Sequence, residues 1–425
     1  MSLKGYIKRK KYFWSNPEIY RQYQEVKTVN NFSGGGVKIW QAERLEAIKR
    51  YAIKYTDFYK DYSMEASFPI MTKSDFLNNY EKIRSREKFN LPNHSSSTSG
   101  STGIPFTVIQ NFEKRQRTIA DLKVFGEYAN YFSHEKMLQL RAYNGKTLDY
   151  RIDRKENIFR YDISNLKEEN INKLLIYINQ IHPRILFGYT STLETLSNYI
   201  LSRKINMSKF HIKTVLVGAE TLTDEIAEKI KQAFQCPLFD RYSNMEMGIY
   251  AQREYGKTNF KVNNGSYYFE IIRLEEDIPA KEGEVGRIVV TDLFNHAFPM
   301  IRYDTGDLGK YCIKDDKMEL YEIYGRKIDC IYDIKGNILD PHSISRCMCK
   351  VKNVRQWQFI QKNEKEYLLK VNISSEIEEQ DIKNRLCHEL GDAAKINIQY
   401  VDEIPVLNSS KRKYIMNEYK RQKNE

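Results

Sequence analysis

From Glu168 to Glu246 the chain alternates short apolar runs with amphipathic stretches, and that order admits few folds. A helix is expected from about Glu168 to Gln180, then a strand over Arg184–Gly188. The next helix opens at Ser191, with Glu194 three residues on as the partner of a capping box. A strand over Lys213–Val217 runs into Gly218-Ala-Glu220. Then Ile226, Ala227, Ile230, Ala233 and Phe234 recur at helical spacing, and a strand over Pro237–Asp240 leads to Tyr242 and Glu246. Strand, helix, strand in repetition implies a mainly parallel sheet flanked by helices. Both Gly218–Glu220 and Asp240–Glu246 fall just past the carboxyl ends of neighbouring strands, where open sheets of this kind bind ligands.

The remainder of the chain reads differently. Leu45, Ile48, Ala52 and Ile53 mark a helix within Gln41–Tyr59. Alternating stretches at Ser266–Arg273 and Glu284–Thr291 point to a β-rich subdomain. After Gly325 come strands near Arg355–Gln361, Glu366–Ile373 and Lys395–Val401, with a helix from Glu378 to about Leu390. The expected fold is therefore mixed α/β (α+β). A large N-terminal domain over residues 1–325 precedes a small mobile C-terminal α+β domain over residues 326–425. With 41% apolar residues, 31 tyrosines and 20 phenylalanines, both units can bury a core.

Lysine and arginine number 68 against 56 acids, a formal net charge of +12 that favours anionic partners. The charge is dispersed and no nucleic-acid-binding module is visible, so nucleic acid is not expected. The densest basic-aromatic patch is Lys4–Trp14; it is expected to pack Phe13 and Trp14 on the core, with membrane-surface contact as the alternative. No apolar run is long enough to cross a bilayer and no apolar stretch follows the basic N-terminus, so a cytoplasmic location is expected. Of six cysteines only Cys347 and Cys349 lie close together, which suits reduced thiols rather than a zinc site.

Thr98-Ser-Gly-Ser-Thr-Gly103 is a run of small, hydroxylated and glycine residues that can present backbone N–H groups and hydroxyls to a phosphate. Taken alone, with Ser95–Ser97 before it, it reads also as a flexible linker. Four further stretches join it: Val217-Gly-Ala-Glu220, Asp240-Arg-Tyr-Ser-Asn-Met-Glu246, Arg302-Tyr-Asp-Thr-Gly-Asp307 and Gly325-Arg326. A lysine follows in Ile404-Pro-Val-Leu-Asn-Ser-Ser-Lys411. Over roughly residues 40–415 this series resembles the adenylate-forming superfamily of acyl-CoA synthetases, luciferases and adenylation domains. Within it the chain looks most like the phenylacetate–CoA ligase-like family, in the branch associated with capsular polysaccharide biosynthesis. Phe298-Pro-Met-Ile-Arg-Tyr-Asp-Thr-Gly-Asp307 is similar to that family's P-x-I-R-Y-x-T-G-D run, and Gly336 with Pro341 to its G-x4-P turn. The chain departs at Ile104, where many members have lysine, at Asp304, commonly basic, and at Ile328, where a hinge acid is usual and only Asp329 supplies one.

The resemblance implies an acyl-adenylate chemistry using ATP and Mg²⁺, with coenzyme A as co-substrate, and it hands out roles that the residue types suit. Thr98, Ser99, Gly100, Ser101, Thr102 and Gly103 would hold the departing phosphates, and Glu246 the Mg²⁺. Asp307 would accept both ribose hydroxyls, with an ion pair to Arg326 as the bland alternative. Tyr242 offers a face to adenine or is ordinary core, and the Gly218-Ala219 backbone lies along the ring edge. Asp240 stands where the family reads the adenine amino group, and Arg326 would reach ribose or phosphate. Glu220 lines the site or caps the helix that follows. Lys411 would sit between carboxylate and α-phosphate, or belong only to the basic cluster Lys411-Arg412-Lys413. The expected activity is ligation of a small carboxylic acid to coenzyme A, an amine or a sugar; the alternative is a non-catalytic nucleotide- or partner-binding protein of a polysaccharide pathway. The acid pocket is expected between about Tyr143 and Thr192 and near Gly218.

Overall fold

The computed structural model describes residues 3–88, 93–97, 106–142, 156–327, 330–339, 341–349, 351–404 and 414–419. The Thr98–Gly103 run, Ile104, the Ile328/Asp329 pair and Lys411 lie outside the described residues. Three helices open the chain, Leu3–Ser15, Pro17–Asn31 and Gly34–Tyr55. The third was expected over Gln41–Tyr59. It begins earlier because Gly34 fits against Asp316, whose Cβ would be 2.1 Å from any Cβ placed there. It stops at Tyr55 because Thr56 is extended and turns its hydroxyl back to the Ala52 carbonyl, 2.8 Å away. The first helix corrects one expectation. Phe13 is buried with Ile19, Tyr23, Val124 and Phe125, whereas Trp14 is 85% exposed. Successive helical residues point about 100° apart, so one helix cannot seat both rings on the same core.

A two-stranded hairpin, β1 (His94–Ser97) and β2 (Thr107–Gln110), brackets the glycine-serine run. Next come β3 (Met137–Arg141), β4 (Ile158–Asp162), β5 (Ile185–Tyr189), β6 (Thr214–Gly218), β7 (Leu238–Asn244), β8 (Gly248–Glu254) and β9 (Lys261–Val262). They form one seven-stranded sheet in the order β4-β3-β5-β6-β7-β8-β9, parallel as far as β7 and antiparallel beyond it. Strand side chains alternate between faces. Leu138, Leu140, Leu186, Val215, Val217 and Leu238 meet the helices Glu168–Ile181, Thr190–Ser202 and Asp224–Phe234. Met137, Ile185, Leu216 and Phe239 fill the opposite face.

The β-rich region is an antiparallel sheet of β10 (Tyr267–Ile272), β11 (Gly286–Asp292), β12 (Tyr303–Lys314) and β13 (Lys317–Arg326). A separate sheet follows, β14 (Val354–Gln361), β15 (Glu366–Ile373), β16 (Lys395–Tyr400) and β17 (Ile415–Asn417), in the order β16-β15-β14-β17. Its core of Phe359, Leu369, Val371, Ile382, Leu386 and Leu390 includes the helix Glu379–Leu390. No helix among the described residues is long and apolar enough to cross a membrane, and no cluster of three metal-ligating side chains occurs among them. Cys236, Cys312, Cys330, Cys347 and Cys387 are free thiols.

Candidate active site

Strand β7 carries Tyr242 against β12 of the β-rich sheet, and the turn after β7 carries Glu246. Asn244 shapes that turn by accepting at its side-chain oxygen from the backbone N–H of Met247 at 2.9 Å. Ser96 Oγ donates to the Met245 carbonyl at 2.6 Å, and Gln110 Nε2 donates to the Glu246 carbonyl at 3.4 Å. Both strands of the hairpin that flanks Thr98–Gly103 are thus fastened to the Glu246 turn. From the core side, Tyr267 Oη donates to the Met247 carbonyl at 2.6 Å and accepts from Lys114 Nζ at 3.1 Å. Lys114 also pairs with Asp292 at 2.7 Å, both side chains being fully buried. Burial raises the Glu246 carboxyl above its ordinary range, against the pull of Lys73 and Arg326. Among the described residues no cation stands within ion-pair distance of it.

Tyr242 and Asp307 meet directly: Tyr242 Oη donates to Asp307 Oδ2 at 2.8 Å. The tyrosine ring packs 5.2 Å from that of Tyr250, but its hydroxyl is spent on the carboxylate rather than on the core. Thr305 holds the other side, accepting at Oγ1 from the Asp307 N–H at 3.2 Å and donating to the Ile288 carbonyl at 2.9 Å. Gly306, at φ +78°, lets the strand pass through this bend. Arg326 faces Asp307 as its partner across the β12–β13 ladder. Burial pushes the Asp307 carboxyl up to about 6, opposed by the Tyr242 hydrogen bond and the Arg326 charge.

Gly218 and Ala219 leave β6 beside this pair. A Cβ on Gly218 would sit 3.1 Å from the Arg241 carbonyl, and Ala219 is held at φ +69°, a conformation costly for a residue with a Cβ. Glu220 corrects two expectations. The box between Ser191 and Glu194 does not form, because the helix already begins at Thr190 and Ser191 lies inside its first turn. Instead Glu220 Oε2 accepts from the Ser191 N–H at 2.7 Å and Oε1 from its hydroxyl at 3.0 Å. The carboxylate therefore caps the helix that precedes it, where the helix N-terminus favours negative charge. The helix that follows is capped by Thr223, which accepts from the Ile226 N–H at 3.4 Å.

Asp240 is buried opposite Arg253 on β8, 3.6 Å from its Nη2, and burial lifts its carboxyl to about 7. Arg253 was not singled out in the sequence; only the β7–β8 register identifies it. Nor was the link between Tyr414 and Glu194, 220 residues apart, in which the Tyr414 hydroxyl donates to Glu194 Oε2. Tyr414 also lies against Trp357, with ring centroids 5.3 Å apart. Three residues after Lys411, then, the chain is fastened to the helix whose start Glu220 caps.

Residues 331–418 match the CapK C-terminal domain family. Over an alignment of 452 residues the chain is 24% identical to Protein CapK of Staphylococcus aureus, spanning 99% of this chain and 96% of that protein. It is 26% identical over 184 residues to the phenylacetate-coenzyme A ligase of Pseudomonas putida, 42% of each. Among solved structures, 2-hydroxyisobutyryl-CoA ligase in the postadenylation state with R3-HIB-AMP superposes with a TM-score of 0.72 at 15% identity, covering 89% of both chains. ATP-bound MatB from Rhodopseudomonas palustris superposes at 0.58 and 15% identity, covering 77% of this chain and 68% of that one.

Proposed function

We propose that this chain, a full-length homologue of CapK with the fold of the adenylate-forming CoA ligases, is an ATP-dependent carboxylate ligase. The observation that carries this reading is the Tyr242–Asp307 contact at 2.8 Å, beside the Gly218-Ala219 bend and within the field of Arg326 and Glu246. That constellation suits a nucleoside. Tyr242 and the Gly218-Ala219 backbone flank the base, and Asp240 reads its amino group. Asp307, an acceptor on both oxygens when ionised, takes the two ribose hydroxyls. Arg326 lies beside ribose and phosphate, and we take Gly325-Arg326 as the boundary between the large and small domains.

In the first half-reaction a substrate carboxylate oxygen attacks the α-phosphorus. The new O–P bond forms as the bond from that phosphorus to the bridging oxygen breaks, and pyrophosphate leaves with the electron pair. Two anions must be brought together for this, so the work of the site is positioning and neutralisation. Thr98–Gly103 receives the leaving phosphates, because the strands flanking that run are fastened to the Glu246 turn. A lone buried carboxylate such as Glu246 fits Mg²⁺, which takes one or two protein carboxylates and fills its shell with phosphate oxygens and water. When bound, the ion offsets phosphate charge. Lys411 offers its ammonium to the reacting carboxylate and the α-phosphate. Three residues span at most about 10 Å from Tyr414, and one helical turn of about 5 Å separates Glu194 from the Glu220-capped helix start. In the second half-reaction a thiol of coenzyme A, or an amine or sugar acceptor, attacks the acyl carbonyl and AMP departs. An acyl donor for a cell-surface sugar is the role we propose for the product.

ATP–pyrophosphate exchange over a panel of carboxylic acids tests the reading. Exchange should require Mg²⁺ and an acid, and Lys411→Ala should slow it at least about 10²-fold with ATP binding retained. Tight ATP binding without exchange for any acid would favour a non-catalytic nucleotide-binding protein.

A further inference from the structure

Strands β3, β5, β6 and β7 end side by side, and their register places Arg141, Tyr189, Gly218 and Arg241 in one row. Tyr189 pairs with Gly218 and Gly218 with Arg241, while Arg141 lies two residues beyond the Gln139–Phe187 pair. Strand alternation puts Arg141, Gly218 and Arg241 on the face that also carries Leu216 and Phe239, one step above Phe187, while Tyr189 packs against the opposite core. The Phe187 ring lies beneath both guanidinium groups, 5.4 Å from Arg141 Cζ and 5.8 Å from Arg241 Cζ. Gly218 stands in the middle of the row because a side chain would crowd it: a Cβ there would be 3.1 Å from the Arg241 carbonyl, 3.7 Å from Phe187 Cε2 and 3.8 Å from Arg241 Cβ. The result is one aromatic ring at the carboxyl ends of parallel strands with two guanidinium groups over it.

The two positive charges are not balanced by a neighbouring carboxylate. Arg241 is only 6% exposed, and its Nε donates to Gln252 Oε1 at 3.0 Å. Among the described residues neither Arg241 nor Arg141 has a carboxylate within 4.0 Å. Among the described residues the other buried arginine, Arg117, shows the usual arrangement: it pairs with Glu25 at 2.7 Å and bonds Gln22, Ser266 and the Gly265 carbonyl besides. Burial and the like charge of Arg141 together push the Arg241 guanidinium down to about 10. The groups facing it are the phenol of Tyr131 and the cation of Arg141, neither of which supplies an anion at neutral pH. Two like charges brought together beside an apolar ring are costly unless an anion joins them, and a planar guanidinium is well suited to a carboxylate or phosphate.

We infer that the acid activated here carries a second anionic group, carboxylate or phosphate, held between Arg141 and Arg241 over Phe187 while its reacting carboxylate lies at Gly218-Ala219. This rests on the ligase reading above. It assigns the substrate class, and it makes Arg141 and Arg241 the residues that select it.

The test uses the full-length protein and pyrophosphate exchange with length-matched acids: butyrate against succinate, valerate against glutarate, and each dicarboxylate against the acid with a phosphonate at its far end. The dianionic member of each pair should have at least a tenfold higher kcat/KM, the effect of a charge-assisted hydrogen bond being about 10- to 150-fold. The phosphonate arm tells which anion fits. Arg241→Gln and, independently, the less buried Arg141→Gln should collapse that ratio toward one, and Arg241→Lys should keep part of it. Equal kcat/KM for both members of every pair, or a preference that both glutamine variants retain, overturns this inference and leaves the ligase reading standing. Exchange with no acid removes the ligase reading and the inference with it.

Discussion

Replacing Tyr242 by Phe removes one hydroxyl and leaves the ring that flanks the base. That hydroxyl donates to Asp307 Oδ2 at 2.8 Å, and the carboxyl it supports already sits at about 6 because it is buried. A hydrogen bond to an ionised group contributes about 1.5–3 kcal/mol, and about 1.4 kcal/mol corresponds to one pKa unit. Without the hydroxyl the Asp307 midpoint should therefore rise by about one to two units, to between about 7 and 8. Only the ionised carboxylate can accept from both ribose hydroxyls, so nucleotide affinity follows its ionised fraction. The sign is then fixed: lowering the pH weakens binding, through about 6 in the parent and already through about 7–8 in Tyr242→Phe. At pH 6.5 the variant should bind ATP roughly 3- to 25-fold more weakly, and at pH 9 the two should agree within about twofold. Calorimetric titration between pH 5.5 and 9 measures this, and the ratio of the two affinities cancels the titration of the phosphates. A ratio that stays constant with pH would refute the argument, because Tyr242 would then act through its ring alone.

Asp240→Asn should stabilise the protein increasingly with pH. Burial raises the folded carboxyl to about 7, so parental stability falls as pH climbs from the ordinary carboxylate range to that value, and the variant escapes the loss. Scanning calorimetry at pH 5 and 7.5 checks it; an equal shift in Tm at both would contradict it. Tyr414→Phe and Glu194→Ala each break the link beside Lys411, and both should slow adenylation about tenfold or more at saturating substrates with ATP affinity unchanged. Parallel exchange and binding assays separate the two effects. Trp14, 85% exposed near Ile7, Lys8, Lys10 and Lys11 in an N-terminal helix without acids, should bind anionic phospholipid vesicles. Flotation should show salt-sensitive binding that Trp14→Ala weakens, and indifference to vesicle charge would count against it.

The parallel sheet was legible because its strands are apolar runs between amphipathic helices. The strands expected at Arg184–Gly188 and Lys213–Val217 appear one residue later, as β5 and β6. The helix Phe112–Tyr128 was not legible, since its buried residues include Lys114, Arg117, Asp121 and Lys123 and break any apolar period. Those charges are explained by tertiary partners outside the helix, such as Asp292 for Lys114, Glu25 and Ser266 for Arg117, and Glu156 for Lys123. Likewise Glu220 was visible as a candidate, but its partner Ser191 comes from the preceding helix, and no local pattern encodes that contact. Tyr242 and Asp307 were read separately from two motifs; that one donates to the other is tertiary information.

The buried pair of Lys114 and Asp292, joined through Tyr267 to the Met247 carbonyl, has a consequence for how the site comes apart. Turns usually open by local fluctuation well before a domain unfolds. This one cannot swing free without leaving a buried donor without its acceptor, so its opening is coupled to that of the core behind it. In hydrogen exchange, the backbone amides of Met247 and Gly248, both held by Asn244, should share the slow, denaturant-sensitive behaviour of β10 and β11 rather than the fast exchange of a surface loop. The carboxylate proposed to hold the metal would then keep its position until the whole unit unfolds.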